Sequence, residues 1–390
     1  MNYKYPLSTS SWGTEEIDAI KRVVDAGLFT MGSEVLEFET SFAEYIGSQH
    51  CVMVNSGSSA NLLMIAALFY TQDESRKLEA GDEVIVPAVA WSTTYFPLYQ
   101  YGLNIRFVDI DLDTLNFDLK QLESAVNHRT RMILAVNLLG NPNNFDRILE
   151  IIGERKIILL EDNCESLGAS YKGKKTGTFG VMGSFSSFFS HHISTMEGGL
   201  VTTDDEELYH ILLSLRAHGW TRDLPKQNHV CGVKSDDPFT ETFRFVLPGY
   251  NVRPLELSGA IGVEQLKKLP DFIESRRNNG KFLQDLLGGH PTILIQKEIG
   301  ESSWFGFSLV IRPGASLARQ DLLSKLKDFG FEYRPIATGN FLNNSVVRYF
   351  SSEVTPSLPN AEYMDQNGLF IGNHHYPIPG IFEDLGRLFS

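Results

Sequence analysis

The strongest constraint on this chain is an alternation. Short, mainly apolar runs recur between stretches of helical periodicity: EVIVP (83–87), IRFVDI (105–110), MILAVNLL (132–139), KIILLED (156–162) and GLVTTD (199–204). A strand without polar alternation has no face to offer water, so both its faces must be covered. Between these runs lie helix-like segments such as ANLLMIAALFY (60–70) and LKQLESAVN (119–127). The pattern predicts an α/β fold: a mainly parallel sheet with helices on both faces. Nearer the start, Val35, Phe38, Phe42, Tyr45 and Ile46 recur at the spacing of one helix face.

After about residue 265 the rhythm changes. WFGFSLVIRPG (304–314) alternates like a strand, LARQDLLSKLKDFG (317–330) reads as an amphipathic helix ending at glycine, and FEYRPI (331–336) is a further strand. The expected division is an N-terminal segment, 1–35, packing near the small domain, a large domain over 36–264, and a smaller C-terminal α/β domain over 265–390. A net charge of −14 argues against nucleic acid or an anionic membrane as partner. No apolar stretch reaches bilayer length, and MNYKYPLSTSSWGTEE lacks the basic-then-apolar order of a secretory leader. Cys51, Cys164 and Cys231 are isolated, which fits reduced thiols in a cytoplasmic protein and leaves too few thiolates for an all-cysteine cluster or zinc site.

Four segments carry chemistry. VNSGSSAN (54–61) runs from a polar turn into a helix, where free N–H groups suit either an anion or a plain helix cap. Asp162 ends an apolar strand, where ligands collect in open α/β sheets, and Glu165 follows closely. GTFGVMGSFSSFFSHH (177–192) ends in His191 and His192; on a strand they would point to opposite faces, so at most one would enter a site. Metal binding by the pair is not expected, since partners at ligand spacing are absent. LPGYNVRPLELSGAIG (247–262) is a turn leading into a helix after Pro254.

In order and spacing these segments resemble the sugar aminotransferase and dehydratase family of the aspartate-aminotransferase (type I) fold, whose members use pyridoxal 5′-phosphate. NSGSSANLL, VPAVAWSTTY, EDNCESLGA, GSFSSF, MEGGLVTTDD, LRAHGW, GYNVRPLELSGAIGVEQL and NAEY carry the likeness over essentially the whole chain. By position, the resemblance implies that Gly57, Ser58 and Ser59 form the cofactor-phosphate turn, Trp91 stacks on the pyridine ring, Asp162 partners the ring nitrogen and Ser186 contacts the phosphate. It implies that Asn251 reaches the phosphate from a neighbouring subunit, hence a homodimer with active sites at its interface. Glu165 stands where the family commonly has His or Gln beside the cofactor phenol.

One departure changes the chemistry. In the family's aminotransferases the lysine that binds the cofactor covalently lies five residues after the phosphate serine and six before the glutamate of a Glu-Gly-Gly turn. Counting from Ser186 and back from Glu197 reaches His191 both times, and no lysine occurs from 176 to 225. An imidazole cannot tether the cofactor, so pyridoxal or pyridoxamine 5′-phosphate is expected to bind non-covalently. Imidazole does carry protons near neutral pH. NLLGNPNNFD, SSFFSHHISTMEGG and RAHGWTRDLPK extend the resemblance to the family's deoxygenating, 3-dehydratase branch. That branch implies L-glutamate as amino donor and GDP-4-keto-6-deoxymannose as substrate. It yields 2-oxoglutarate, ammonia and GDP-4-keto-3,6-dideoxymannose, in colitose-type dideoxysugar biosynthesis. A related branch uses an iron–sulfur cluster and a reductase; three scattered cysteines argue against such a partner here. His218, Arg222 and Arg334 are substrate-binding candidates, with a salt bridge as the alternative for each. A perosamine-type 4-aminotransferase and a non-catalytic binding protein on this scaffold remain the competing readings.

Overall fold

The apolar runs become the centre of an eight-stranded sheet in the computed structural model, which describes residues 3–355 and 357–389. In chain order the leading elements are α1 (Thr14–Ala26), α2 (Ser33–Ile46), β1 (His50–Val54), α3 (Gly57–Tyr70), β2 (Glu83–Pro87) and α4 (Ser92–Gln100). They continue with β3 (Asn104–Val108), α5 (Leu119–Ala125), β4 (Thr130–Val136), α6 (Phe145–Ile152) and β5 (Ile158–Asp162). The sheet order is β1, Gly199–Thr203, Met182–Ser186, β5, β4, β2, β3 and Ser352–Thr355.

Alternation along each central strand splits its side chains between two cores. Val84, Val86, Met132, Leu134 and Leu160 join the cluster containing Leu63, Met64 and Leu68 of α3. Ile85, Ile133, Ala135 and Leu159 face the other way, onto Leu122 of α5 and Phe145, Ile148 and Ile151 of α6. This double burial is why the strands read as mainly apolar runs with no polar alternation.

Three details differ from the sequence reading. The strand expected over 132–139 stops at Val136, because Leu138–Gly140 turns with Leu139 at φ 55°. Gly199–Thr203 runs antiparallel to both neighbours, β1 and Met182–Ser186, while the remaining pairs are parallel. His191 and His192 do not sit on a strand but in the loop 187–198 that joins those two antiparallel strands.

A second, four-stranded antiparallel sheet orders Ile293–Ile295, Gly306–Ile311, Gly368–Gly372 and Tyr333–Arg334. Leu283, Phe307, Leu322, Leu326 and Phe382 form its core. The helix Glu256–Leu287 joins the two cores: Val263, Leu266 and Ile273 pack with Phe38 and Phe42 of α2, whereas Leu283 and Leu287 enter the small core. Residue 265 therefore falls inside a continuous helix, and Ser352–Thr355 returns from the C-terminal region to pair with β3. At the N-terminus, Tyr5 donates to Asp384 Oδ2 at 2.8 Å and Leu7 N donates to Glu332 Oε2 at 2.8 Å, against the small sheet. Ala19 and Val23 of α1 pack on Ala260 of the long helix.

Candidate active site

A cluster of functional groups gathers at the carboxyl ends of β1 and β5, where a sheet of this kind collects ligands. Ser56 caps α3, its Oγ accepting from Ser59 N at 3.1 Å. The N–H groups of Gly57 and Ser58 follow in the first turn, where a helix has no carbonyl to give them. A side chain on Gly57 would place its Cβ 2.7 Å from Ser186 Cβ and 2.9 Å from Cys164 Sγ, so glycine lets the turn close on the strand that carries Ser186. Gly199 is needed for a matching reason: its Cβ would lie 2.6 Å from Gly57 N. The hydroxyls are ordered too, Ser58 donating to Thr93 Oγ1 at 2.8 Å and Ser59 to Asn55 Oδ1 at 2.6 Å.

Asp162 is buried beneath this turn. Its Oδ2 accepts from Asn61 Nδ2 at 2.8 Å and Thr94 Oγ1 at 2.7 Å, and Oδ1 accepts from Cys164 N at 3.1 Å. Trp91 is the residue preceding α4 and is half-exposed at 53%. Glu165 accepts from Leu139 N at 3.0 Å, and its Oε1 lies 4.0 Å from Arg334 Nη2. Burial raises the Glu165 carboxyl above its ordinary range, and Arg334 opposes that shift. The Arg334 guanidinium also covers the Phe370 ring, 4.6 Å from its centroid.

The loop carrying the two histidines is pinched at its base: Ser187 N donates to Gly198 O at 3.0 Å and Thr195 N to Ser187 O at 2.9 Å. Both imidazoles pack on one ring, Phe305, at 5.1 Å for His191 and 5.6 Å for His192, instead of diverging as on a strand. His192 is fully buried and its Nε2 lies 3.1 Å from Ser303 O. Nδ1 of His191 is buried without a hydrogen-bond partner among the described residues. Burial, then the charges of Arg334 and Arg276, holds the His191 pKa down to about 3.

The structure thus brings Gly57, Ser58, Ser59, Trp91, Asp162, Glu165, Ser186, His191 and Arg334 to one region. His218, Arg222 and Asn251 form a separate group. His218 N donates to Tyr250 O at 2.6 Å, Arg222 stacks 4.2 Å over Trp220, and Asn251 is exposed, accepting from Arg253 Nε at 3.0 Å. The two groups touch through backbone, Asn55 N donating to Val252 O at 2.9 Å. Sequence reading missed Asn61, Thr94 and Phe305. The first had a signal, since Asn61 lies one helical turn after Gly57; Phe305 had none.

First-turn N–H groups with ordered hydroxyls suit a phosphate, and a buried carboxylate suits a protonated ring nitrogen, so the residues present fit pyridoxal 5′-phosphate. Among the described residues no helix is long and apolar enough to cross a membrane, and no group of three or more His, Cys, Asp or Glu could hold a metal ion.

Comparison with known proteins agrees with this geometry. Residues 10–376 match the family model described as the DegT/DnrJ/EryC1/StrS aminotransferase family. The chain is 59% identical over 387 residues to GDP-4-keto-6-deoxy-D-mannose 3-dehydratase of Yersinia pseudotuberculosis, covering 99% of this chain and 97% of that protein. The solved E. coli enzyme of that name, with bound hydrated pyridoxal phosphate, superposes with a TM-score of 0.98 at 58% identity, covering 100% of both chains. A further structure of such an enzyme, holding a trapped pyridoxal phosphate–glutamate geminal diamine, matches with a TM-score of 0.98 at 58% identity over 99% of this chain and 100% of that one.

Proposed function

The chain belongs to the DegT/DnrJ/EryC1/StrS aminotransferase family, and from that premise we propose that it removes the C3 hydroxyl of GDP-4-keto-6-deoxymannose with L-glutamate as amino donor. The products are GDP-4-keto-3,6-dideoxymannose, 2-oxoglutarate and ammonia. One observation carries the reading: an imidazole, His191, stands on the loop beside Ser186 where the family's aminotransferases place lysine.

When bound in its aminated form, the cofactor supplies an electron sink conjugated to the sugar's C4, through which loss of a proton expels the C3 hydroxyl. The chain's residues do the rest. Gly57 and Ser58 N–H groups, with the hydroxyls of Ser58, Ser59 and Ser186, hold the phosphate at the start of α3. Asp162, fixed by Asn61 and Thr94, keeps the ring nitrogen protonated. Trp91 covers the ring, and Glu165 meets the phenol oxygen with a carboxyl that burial biases toward its protonated, donating form. With Nδ1 buried, Nε2 is the His191 nitrogen left to take up the proton and return it to the departing hydroxyl. An anion bound in the phosphate turn would oppose the guanidinium charges that hold the His191 pKa down. Arg334 holds the carboxylate of glutamate, and His218 and Arg222, grouped with Asn251 apart from His191, are the candidates for the sugar nucleotide.

A second copy completes the site in this reading, its Asn251 reaching the phosphate turn. The exposed aromatic residues Phe239 (88%), Phe243 (67%) and Phe245 (55%), close to the exposed Asn251 in sequence, give a partner an apolar surface. Location in the cytoplasm follows from the substrate, a sugar nucleotide.

The test is stoichiometric. Incubated with glutamate, cofactor and GDP-4-keto-6-deoxymannose, the protein should release 2-oxoglutarate and ammonia in equal amounts. Release of 2-oxoglutarate without ammonia, with a 4-amino sugar accumulating, would instead make it an aminotransferase.

A further inference from the structure

Behind the imidazole pair runs a backbone segment that meets two of the site's titratable groups, Glu165 and His191. Phe305 N donates to Leu139 O at 3.0 Å, and Leu139 N donates to Glu165 Oε2 at 3.0 Å. From the other side the Phe305 ring packs on His191, and Ser303 O lies 3.1 Å from His192 Nε2. Two residues here hold the left-handed backbone region that side chains avoid, Leu139 at φ 55° and Trp304 at φ 45°. At Gly140 a Cβ would come within 2.7 Å of Trp304 N. Such strain persists only where surrounding contacts over-determine it.

Those contacts converge on Arg276 of the long helix. Its Nη1 donates to Phe305 O and Asn373 O, both at 3.0 Å, and more weakly to Trp304 O at 3.4 Å. Asn373 Nδ2 closes the ring, donating to Trp304 O at 2.8 Å and to Arg276 O at 3.1 Å. Arg276 is 5% exposed, and among the described residues no carboxylate forms an ion pair with it. A buried, uncompensated charge is costly, and a neutral side chain would serve mere packing better.

We infer that Arg276 is a positioning residue for the deoxygenation: it clamps the Trp304 and Phe305 carbonyls, so that the Phe305 ring sets His191, and it leaves its charge unpaired to act on that imidazole. The inference rests on the reading of His191 as the base. Burial is the first cause that lowers the pKa of His191, His192, His374 and His375, and Arg276 contributes at all four. Arg334 adds its charge at His191 from the small sheet, and Glu165 faces Arg334 there. A positive charge left unpaired keeps the base in its proton-accepting form.

Arg276→Met removes clamp and charge, while Arg276→Lys keeps a charge and loses the planar fork. Histidine nitrogen NMR of the full chain without substrate, with the His191 signal identified by its loss in His191→Asn, reads the titration. The expected result is a His191 pKa raised by about half a unit in Arg276→Met, since burial and Arg334 act more strongly, and little changed in Arg276→Lys. In Arg276→Lys, kcat should fall about tenfold or more while KM for the sugar nucleotide stays within about twofold. Unchanged titration in Arg276→Met, or wild-type kcat in Arg276→Lys, would overturn the inference. If Arg276→Met does not fold, the kcat of Arg276→Lys alone decides. Full activity in His191→Asn would remove the functional reading and leave the titration result standing, so the two fail separately.

Discussion

Replacing Asp162 with asparagine probes the anchor of the site, and its cost follows from three contacts. Oδ2 accepts from Asn61 at 2.8 Å and from Thr94 at 2.7 Å, and Oδ1 accepts from Cys164 N at 3.1 Å. An amide has one acceptor oxygen. Turned toward Cys164, its NH2 faces two donors; turned the other way, it faces the Cys164 N–H. Asn61 is not free to flip, because its Oδ1 accepts from Ser184 Oγ at 2.6 Å. The change therefore removes one or two hydrogen bonds to a charged acceptor, each about 1.5–3 kcal/mol. Loss of a buried charge returns part of that, leaving a net destabilisation of about 2–3 kcal/mol. Urea unfolding of the cofactor-free chain reads this as a lower midpoint at unchanged slope. A second effect belongs to the bound cofactor: without an opposite charge, its ring nitrogen should lose its proton about 1–3 pH units earlier, seen in absorbance titration. Thr94→Val is the control, losing one donor and some stability but keeping that titration in place. An Asp162→Asn chain with the wild-type midpoint and the wild-type titration would refute the reasoning.

Gly57→Ala forces a Cβ to within 2.7 Å of Ser186 Cβ and should cost about 1–3 kcal/mol while weakening cofactor affinity, measured by fluorescence titration; unchanged affinity would contradict the turn's assignment. Acid should destabilise the fold. His191 titrates at about 3 and His374 and His375 at about 4, below the usual 6.5, so the unfolded chain binds protons that the folded chain refuses. Stability is then complete above pH 6.5 and declines as pH falls, by about 1 kcal/mol between pH 7 and 5.5 for a well-buried imidazole and by less for His375, which solvent partly screens. The raised carboxyl of Glu165 works in the opposite sense, so a His375→Phe chain supplies the control: its pH profile should be flatter by that lesser amount, and an identical profile would contradict the burial argument. Borohydride treatment of the cofactor-loaded protein should leave the cofactor dialysable, whereas covalent attachment through any lysine would contradict non-covalent binding.

The central strands were legible because burial on both faces leaves their middles apolar, as in the VIV of β2 and the ILL of β5, with acidic residues only at the ends. Met182–Ser186 was not, since its glycine and serines answer to close approach: a Cβ at Gly183 would lie 2.6 Å from Gly177. Counting from Ser186 and Glu197 located His191, but not the sharing of Phe305 by both imidazoles, because that ring arrives from a segment over a hundred residues away. Asp162 was legible at a strand end; its donor Thr94 was hidden in an ordinary helix start. The small domain's helix and strands were readable, whereas the return of Ser352–Thr355 to the large sheet leaves no local trace.

The most direct measurement is the structure of the sugar product at C3, by mass spectrometry and NMR, from GDP-4-keto-6-deoxymannose, glutamate and pyridoxal phosphate with the wild-type protein and with His191→Asn. The account predicts a wild-type product one oxygen lighter than the substrate, with a methylene at C3, and none from the variant. A product that keeps its C3 hydroxyl, or deoxygenation at full rate by His191→Asn, would contradict it.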